Sequence, residues 1–452
     1  MDLRQLIDNT RMSGYQWLII AVAAFVNALD GYDLVAMAFS ANAVTKEFDL
    51  NGSTLGWLLA SALIGVGVGA VALAPLADRF GRKRLIVISL LITLAGLIAT
   101  GFSSSVPELF VYRVITGIGV GGVLACVTVL TSEFSNLRFR GLAMAIYAAG
   151  YGLGASLCGT IASTFIPDHG WRIVFFAGAV LTTVALLAVL FFIPETPETL
   201  AARGDDAALQ RLARRMGKVS ADADEQQRVT VAVPSAAERG RARDLLGPEL
   251  LRNTLLLWLG FALVNFGFNF ANQWTPKLLT EVGLSEQLSA LGGIMLALGG
   301  TVGSVLFGLL TTRLSTRTTL VIFALTAGWV LVAFILSTDF PVLMLVLGVA
   351  VGMLLNGCVT GMYTITPQSY AFHLRSTGVG IALGVGRIGA IMGPLVVGYL
   401  VDSGWAPLAL YVGAAVVMLV VAVAIGAVQG PATLVAGRPG SVSTDRVSSD
   451  RD

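Results

Sequence analysis

The chain has 452 residues, 56% of them hydrophobic and only 12% charged, with a mean hydropathy of +0.81 and a net charge of +2. So few charges over such a length exclude a soluble globular protein and put the chain in a bilayer. Cys126, Cys158 and Cys358 all fall in apolar stretches without metal-ligand spacing, and read as small packing residues rather than a disulfide framework. No phosphate-binding loop, dinucleotide fingerprint or catalytic constellation is present, so neither an enzyme nor a cofactor, metal or nucleic-acid binder is expected.

Twelve apolar segments reach spanning length. The first six cover residues 17–40, 54–77, 84–102, 106–130, 141–165 and 172–193. The first is too long for a signal-peptide core and is followed by no small-residue cleavage site, so it reads as a retained helix. A polar stretch, 194–253, follows, with helix-forming pieces such as Asp206 to Met216. The second six cover 254–274, 288–311, 318–337, 341–366, 376–400 and 406–428. Residues 429–452, rich in Gly, Pro, Ser and Asp, have the composition of a disordered tail. The expected organisation is therefore two six-helix halves, 1–193 and 254–428, joined by a cytoplasmic linker.

Basic residues orient the chain. With the N-terminus inside, the inner loops and termini hold 24 of the 29 Lys and Arg, and the outer loops hold three: Lys46, Arg172 and Lys277. That asymmetry puts both termini in the cytoplasm of an inner (plasma) membrane protein. Only Arg113 and Arg387 lie within spans. The halves also resemble each other. The stretch 140–155 aligns without gaps on 375–390, and the turn 75–79 matches 309–313. Two repeats joined by a linker indicate a transporter with its site between them, expected to work as a monomer.

Within the first span stands Asp30-Gly31-Tyr32-Asp33. Two carboxylates three residues apart lie on nearly one helix face, at a depth where an ionised group must be paired or wetted. A protonatable pair facing a cavity fits this pattern better than a helix-locking ion pair, for which one acid suffices. Arg387 aligns with Gly152 in the first half, so it is not part of the shared scaffold. Its forked guanidinium suits a carboxylate, either a substrate's or that of Asp30. Asn265, Asn269 and Asn272 form one polar stripe at i, i+4 and i+7, which should face a cavity rather than lipid. Tyr147 and Tyr151 make a similar stripe, Tyr363 lies in the tenth segment, and Trp274 stands at a membrane boundary as a ring wall or an interface anchor. His169 and His373 read as solvated loop residues.

The loop Leu76-Ala-Asp-Arg-Phe-Gly-Arg-Lys-Arg84 resembles the signature of the major facilitator superfamily, as does the fourth-segment run 113–122. Asp30-Gly-Tyr-Asp33 is similar to the first-helix motif of its aromatic acid:proton symporters, a resemblance that covers the whole membrane region. Ala74 and Thr312 depart from the loop pattern. The resemblance implies an all-α fold of twelve transmembrane helices in two pseudo-symmetric halves, with Asp33 about seven residues, roughly 10 Å, below the outer end of its helix and meeting Arg113. Asp30, Asp33 and Arg113 would couple protons. Arg387, the three asparagines, Trp274, Tyr147, Tyr151 and Tyr363 would bind substrate. Asp78 would face the start of the eleventh helix near Ser376 and Thr377, in an inner gate with Arg79, Arg82, Glu133, Arg138, Arg140 and Arg375.

The function that follows is proton-coupled import of a small aromatic carboxylate, such as benzoate or a hydroxybenzoate, by alternating access. A proton-driven exporter of the same fold is the first alternative, although the fifth segment lacks the proline kink of the antiporters it would resemble. A sugar or polyol porter is the second, hinted at by Pro194-Glu-Thr-Pro197, and a transporter-like chemoreceptor the third.

Overall fold

In the computed structural model, residues 3–218, 245, 247, 250–370 and 372–428 are described. The expected tail and most of the linker lie outside them. Among the described residues all regular structure is helical. Twelve helices are long and apolar enough to cross a membrane. In chain order they are α2 (Gly14–Phe48), α3 (Gly52–Phe80), α4 (Arg82–Gly101), α5 (Val106–Glu133), α6 (Arg140–His169), α7 (Arg172–Phe192), α10 (Leu251–Glu281), α11 (Glu286–Leu310), α12 (Thr316–Leu336), α13 (Pro341–Gln368), α14 (Phe372–Asp402) and α15 (Pro407–Gly426). Three short helices, α1 (Leu3–Asn9), α8 (Pro197–Ala202) and α9 (Asp206–Arg215), lie outside the spans.

The helix ends follow local chemistry. Ser13 starts α2 with a capping box, its hydroxyl accepting the Gln16 N–H while the Gln16 side chain accepts the Ser13 N–H. Asp49 ends α2 in the left-handed region at φ 49. Asn51, Ser285 and Ser315 cap α3, α11 and α12 in the same side-chain manner. The first span therefore runs well past the apolar segment visible in sequence. Asp33 sits fifteen residues, roughly 22 Å, from the end of α2 rather than seven.

The two halves, α2–α7 and α10–α15, repeat one packing scheme. In each, the first long helix packs on the fifth and sixth, the second on the fourth, and the third on the fourth and sixth. Glycine makes the tightest of these seams possible. A Cβ at Gly31 would collide with the Tyr151 carbonyl, one at Gly154 with that of Ala28, and one at Gly389 with that of Ala262. Below the first half, Leu200, Leu209, Leu212 and Met216 of the α8–α9 segment are buried together with Ile7, Leu85 and Phe134. Lys218 anchors this segment to the N-terminus through Arg11 O at 2.8 Å, and partial burial lowers its pKa.

Across the halves, α3 meets α14, α6 meets α11 and α2 meets α10. One end of this seam, carrying the α2–α3 and α14–α15 connections, is tied shut. Asp402 accepts the N–H groups of Gly52 and Ser53 at 2.6 and 2.8 Å, and the Ser53 hydroxyl as well. Asn42 donates to Thr280 at 2.9 Å, and Lys46 pairs with Glu286 at 2.5 Å. The Phe39 ring fills the gap beside Gly159, Gly293 and Pro276.

Candidate functional site

The two acids of the first-helix motif have different partners. Asp33 is buried, and its Oδ1 meets Arg113 Nη1 at 2.5 Å while Nη2 donates to the Asp33 carbonyl at 2.7 Å. Arg113 is fully enclosed, its guanidinium carbon 5.4 Å from the centre of the Phe175 ring. Tyr32, between the acids, is also buried and donates to Val174 O at 2.7 Å. This half of the motif binds α2 to α5 and α7. Asp30 is only partly buried, and the charges acting on it are Arg387, from α14 in the other half, and Asp33. Positions three apart on a helix differ by about 60° in direction, enough to send one acid into the first half and the other to the seam.

Around Asp30 the walls are aromatic and amide. On α6, the Tyr147 carbonyl accepts from Asn27 at 2.8 Å, and its hydroxyl lies 3.0 Å from Thr128 Oγ1. The Thr128 hydroxyl has one hydrogen and lies 2.9 Å from the Leu124 carbonyl, to which it donates, so Tyr147 must be the donor of the pair. Tyr151 lies one turn further along α6, its ring centre 6.5 Å from that of Phe268 on α10. Tyr363 of α13 is half exposed and stands edge-on to Phe261 at 5.4 Å.

The asparagine stripe of α10 is held by its own helix. Asn265, Asn269 and Asn272 each donate their amide N–H to the carbonyl four residues earlier, at 2.9, 2.9 and 3.0 Å. Asn265 is partly exposed, and its amide nitrogen lies beside Gly386, the neighbour of Arg387. Trp274 is fully buried and donates to Pro394 O at 3.3 Å, which puts it in the α10–α14 seam rather than on a cavity wall.

Three further polar residues stand at or beside the seam, of which the sequence reading reaches only Gln273, among the polar and aromatic residues of the seventh segment. Gln273 donates across the halves to Leu34 O at 3.1 Å. Asn356 of α13 donates to Gly300 O at 2.5 Å, and Thr301 of α11 lies against Gly152 of α6. The signal for Gln273 and Asn356 was present: Asn356 is a lone amide inside an apolar span, and Gln273 continues the 265–269 spacing by another four residues.

The basic and acidic residues at the opposite end of the bundle form separate contacts. Arg82 pairs with Glu133, and Arg140 with Asp8 at 2.6 Å, while Arg138 lies over the Phe139 ring at 5.3 Å. The side chains of Asp78, Arg79, Arg375 and Ser376 lie outside the described residues.

Two six-helix halves meeting at a polar seam, with ionisable and aromatic groups between them, are the architecture of a membrane transporter. The chain belongs to the Major Facilitator Superfamily, whose family model matches residues 18–336 and 293–441. It is 31% identical over 409 residues to a gallate transporter of Pseudomonas putida, covering 89% of this chain and 90% of that one. It is 30% identical over 407 residues to the 4-hydroxybenzoate transporter PcaK of Acinetobacter baylyi, covering 90% and 89%. Among solved structures, the xylose transporter XylE from E. coli, in a partially occluded inward-open conformation, superposes with a TM-score of 0.70 at 18% identity, over 93% of this chain and 99% of that one. That likeness concerns the fold.

Proposed function

We propose that the chain imports a small aromatic carboxylate together with protons by alternating access. The observation that carries this reading is the meeting of α2 and α6 of one half with α10 of the other, where Tyr151, packed on Gly31 beside Asp30, faces Phe268, and Gly386, the neighbour of Arg387, packs on Asn265. An acid, a forked cation and ring walls at one seam suit a carboxylated ring whose binding to the cation is favoured once a proton neutralises the acid. The substrates of the gallate and 4-hydroxybenzoate transporters that the chain resembles support this substrate class. In this reading Asp30 takes the proton, Arg387 takes the substrate carboxylate when Asp30 is neutral, and the enclosed Asp33–Arg113 pair is structural.

The remaining assignments complete the proposal. Both termini face the cytoplasm of the inner membrane, so the tied end is the outer one and the structure is inward-facing. Residues 194–253 link two halves that rock about the seam, the chain acts as a monomer, and Asp78 closes the inner gate against the start of α14 when the outer ties open.

Proteoliposomes test the function directly. With an inward proton gradient, labelled 4-hydroxybenzoate should accumulate. Asp30→Asn should abolish accumulation while leaving exchange of labelled for unlabelled acid. Gradient-driven loss of preloaded acid would identify an exporter, and undiminished accumulation by Asp30→Asn would remove Asp30 from the coupling site.

A further inference from the structure

The amides of α10 and α13 share a polarity. Asn265, Asn269 and Asn272 give an amide hydrogen to backbone carbonyls of their own helix, Gln273 to Leu34 O and Asn356 to Gly300 O. Because each partner is a carbonyl, which only accepts, the nitrogen side of every amide is fixed. Each carbonyl oxygen then points the other way. Two of them, Asn269 Oδ1 and Gln273 Oε1, are buried and unpartnered, on residues only 3% and 0% exposed. The hydroxyls of Tyr151 and Thr301, on the facing helices α6 and α11, are likewise buried and unpartnered.

These groups are placed at one level. The Tyr151 carbonyl lies against Gly31, Gln273 bonds to Leu34 one turn beyond Asp30, and Thr301 lies against Gly152, next to Tyr151. Arg387 lies deeper. Its neighbour Gly386 packs on Asn265, one turn from Asn269 and two from Gln273 along α10. Along the seam the cation Arg387 and the acceptors of Asn269 and Gln273 are thus about one and two helical turns apart, with the Phe268 and Tyr151 rings alongside. A buried acceptor without a donor carries a penalty that a ligand donor relieves, whereas an apolar or acceptor-only group does not.

We infer that the amide oxygens of Asn269 and Gln273 receive a hydroxyl on the ring, so that the transported acid is a hydroxylated one, its phenol opposite its carboxylate. This rests on the aromatic-acid reading above and adds the polarity of the second substituent.

The test is competition against labelled 4-hydroxybenzoate on the purified full-length protein. The competitors are benzoate, which lacks the donor, and 4-methoxybenzoate, which keeps the oxygen but cannot donate. Wild-type protein should prefer 4-hydroxybenzoate to both by about tenfold or more. In Gln273→Met and Asn269→Leu the ratio of 4-hydroxybenzoate to benzoate affinity should fall toward one. Equal affinity of wild type for all three acids overturns this inference and leaves the aromatic-acid reading standing. A preference that survives both substitutions also overturns it, because the donor is then read elsewhere. Failure of every aromatic acid to bind removes the underlying reading and this inference together. If one variant does not fold, the ratio in the other decides, and equal wild-type affinities overturn the inference without either.

Discussion

Asp402, the last residue of α14, accepts the backbone N–H of Gly52 at 2.6 Å and so caps α3 from the opposite half of the molecule. The first turn of a helix leaves N–H groups unpaired, and a carboxylate both pairs them and complements the helix dipole. Here cap and helix belong to different halves, so the contact exists only while that end is shut. The Lys46–Glu286 pair beside it is well exposed and adds little in water. Asp402→Asn should therefore open this end, shifting the ratio of closed to open by about two- to fivefold. Spin-label distances between the α2–α3 and α14–α15 connections would report the shift. An unchanged distance distribution would assign Asp402 to folding alone.

Asp33 and Arg113 should behave as a stability pair. Removing one partner leaves a buried charge uncompensated, so Asp33→Asn or Arg113→Met should each lose about 3–5 kcal/mol. Replacing both, as Asp33→Leu with Arg113→Met, should recover much of the loss. Thermal unfolding in detergent gives the comparison. Additive losses in the double variant would mean that the two side chains do not act together.

Arg387→Lys keeps the charge and removes the fork. Affinity for an aromatic acid should fall by about 1–3 kcal/mol, with a smaller effect on its neutral amide. Calorimetry with 4-hydroxybenzoate and 4-hydroxybenzamide separates these cases. Equal weakening of both ligands would show that Arg387 does not read the carboxylate.

Glycine contacts give a contrast within one protein. Gly31→Ala places a methyl on the Tyr151 carbonyl and should sharply reduce the yield of folded protein, because backbone cannot give way as a side chain can. Gly67→Ala has nothing within 4 Å of its new Cβ and should be neutral or slightly stabilising. Fluorescence size-exclusion profiles of the two variants suffice. Equal profiles would show that the α2–α6 seam relaxes around the methyl.

The fold was legible because apolar length is a one-dimensional signal. Helix ends were less so. The last two turns of α2 carry Asn42, Thr45, Lys46 and Glu47, whose polarity reads as loop until the partners on α7 and α11 are seen. Spacing brought Asp30 and Asp33 to neighbouring directions, but it carries no information about which helix stands in each direction. The direct pairing of Asp33 with Arg113 and the partial burial of Asp30 depend on that arrangement. The asparagine stripe was visible as a period, whereas the polarity of its amides depends on hydrogen bonds to carbonyls that only a folded helix supplies. Asp402 gave no sign of its role, since its partner lies about 350 residues away.

The backbone contacts of Gly31 and Gly154 make α2 and α6 a single solid piece, so Asp30, Tyr147 and Tyr151 keep their mutual spacing whatever the halves do. Arg387 and the α10 amides ride on the other piece. On the proposed function, a molecule held between them would be gripped like an object between caliper jaws, its length setting how far the jaws come together, and sorting by size would be a matter of closure and not of fit to a fixed hole. A longer acid could bind well and still travel slowly, because it props the jaws apart at the angle where the far end should begin to seal.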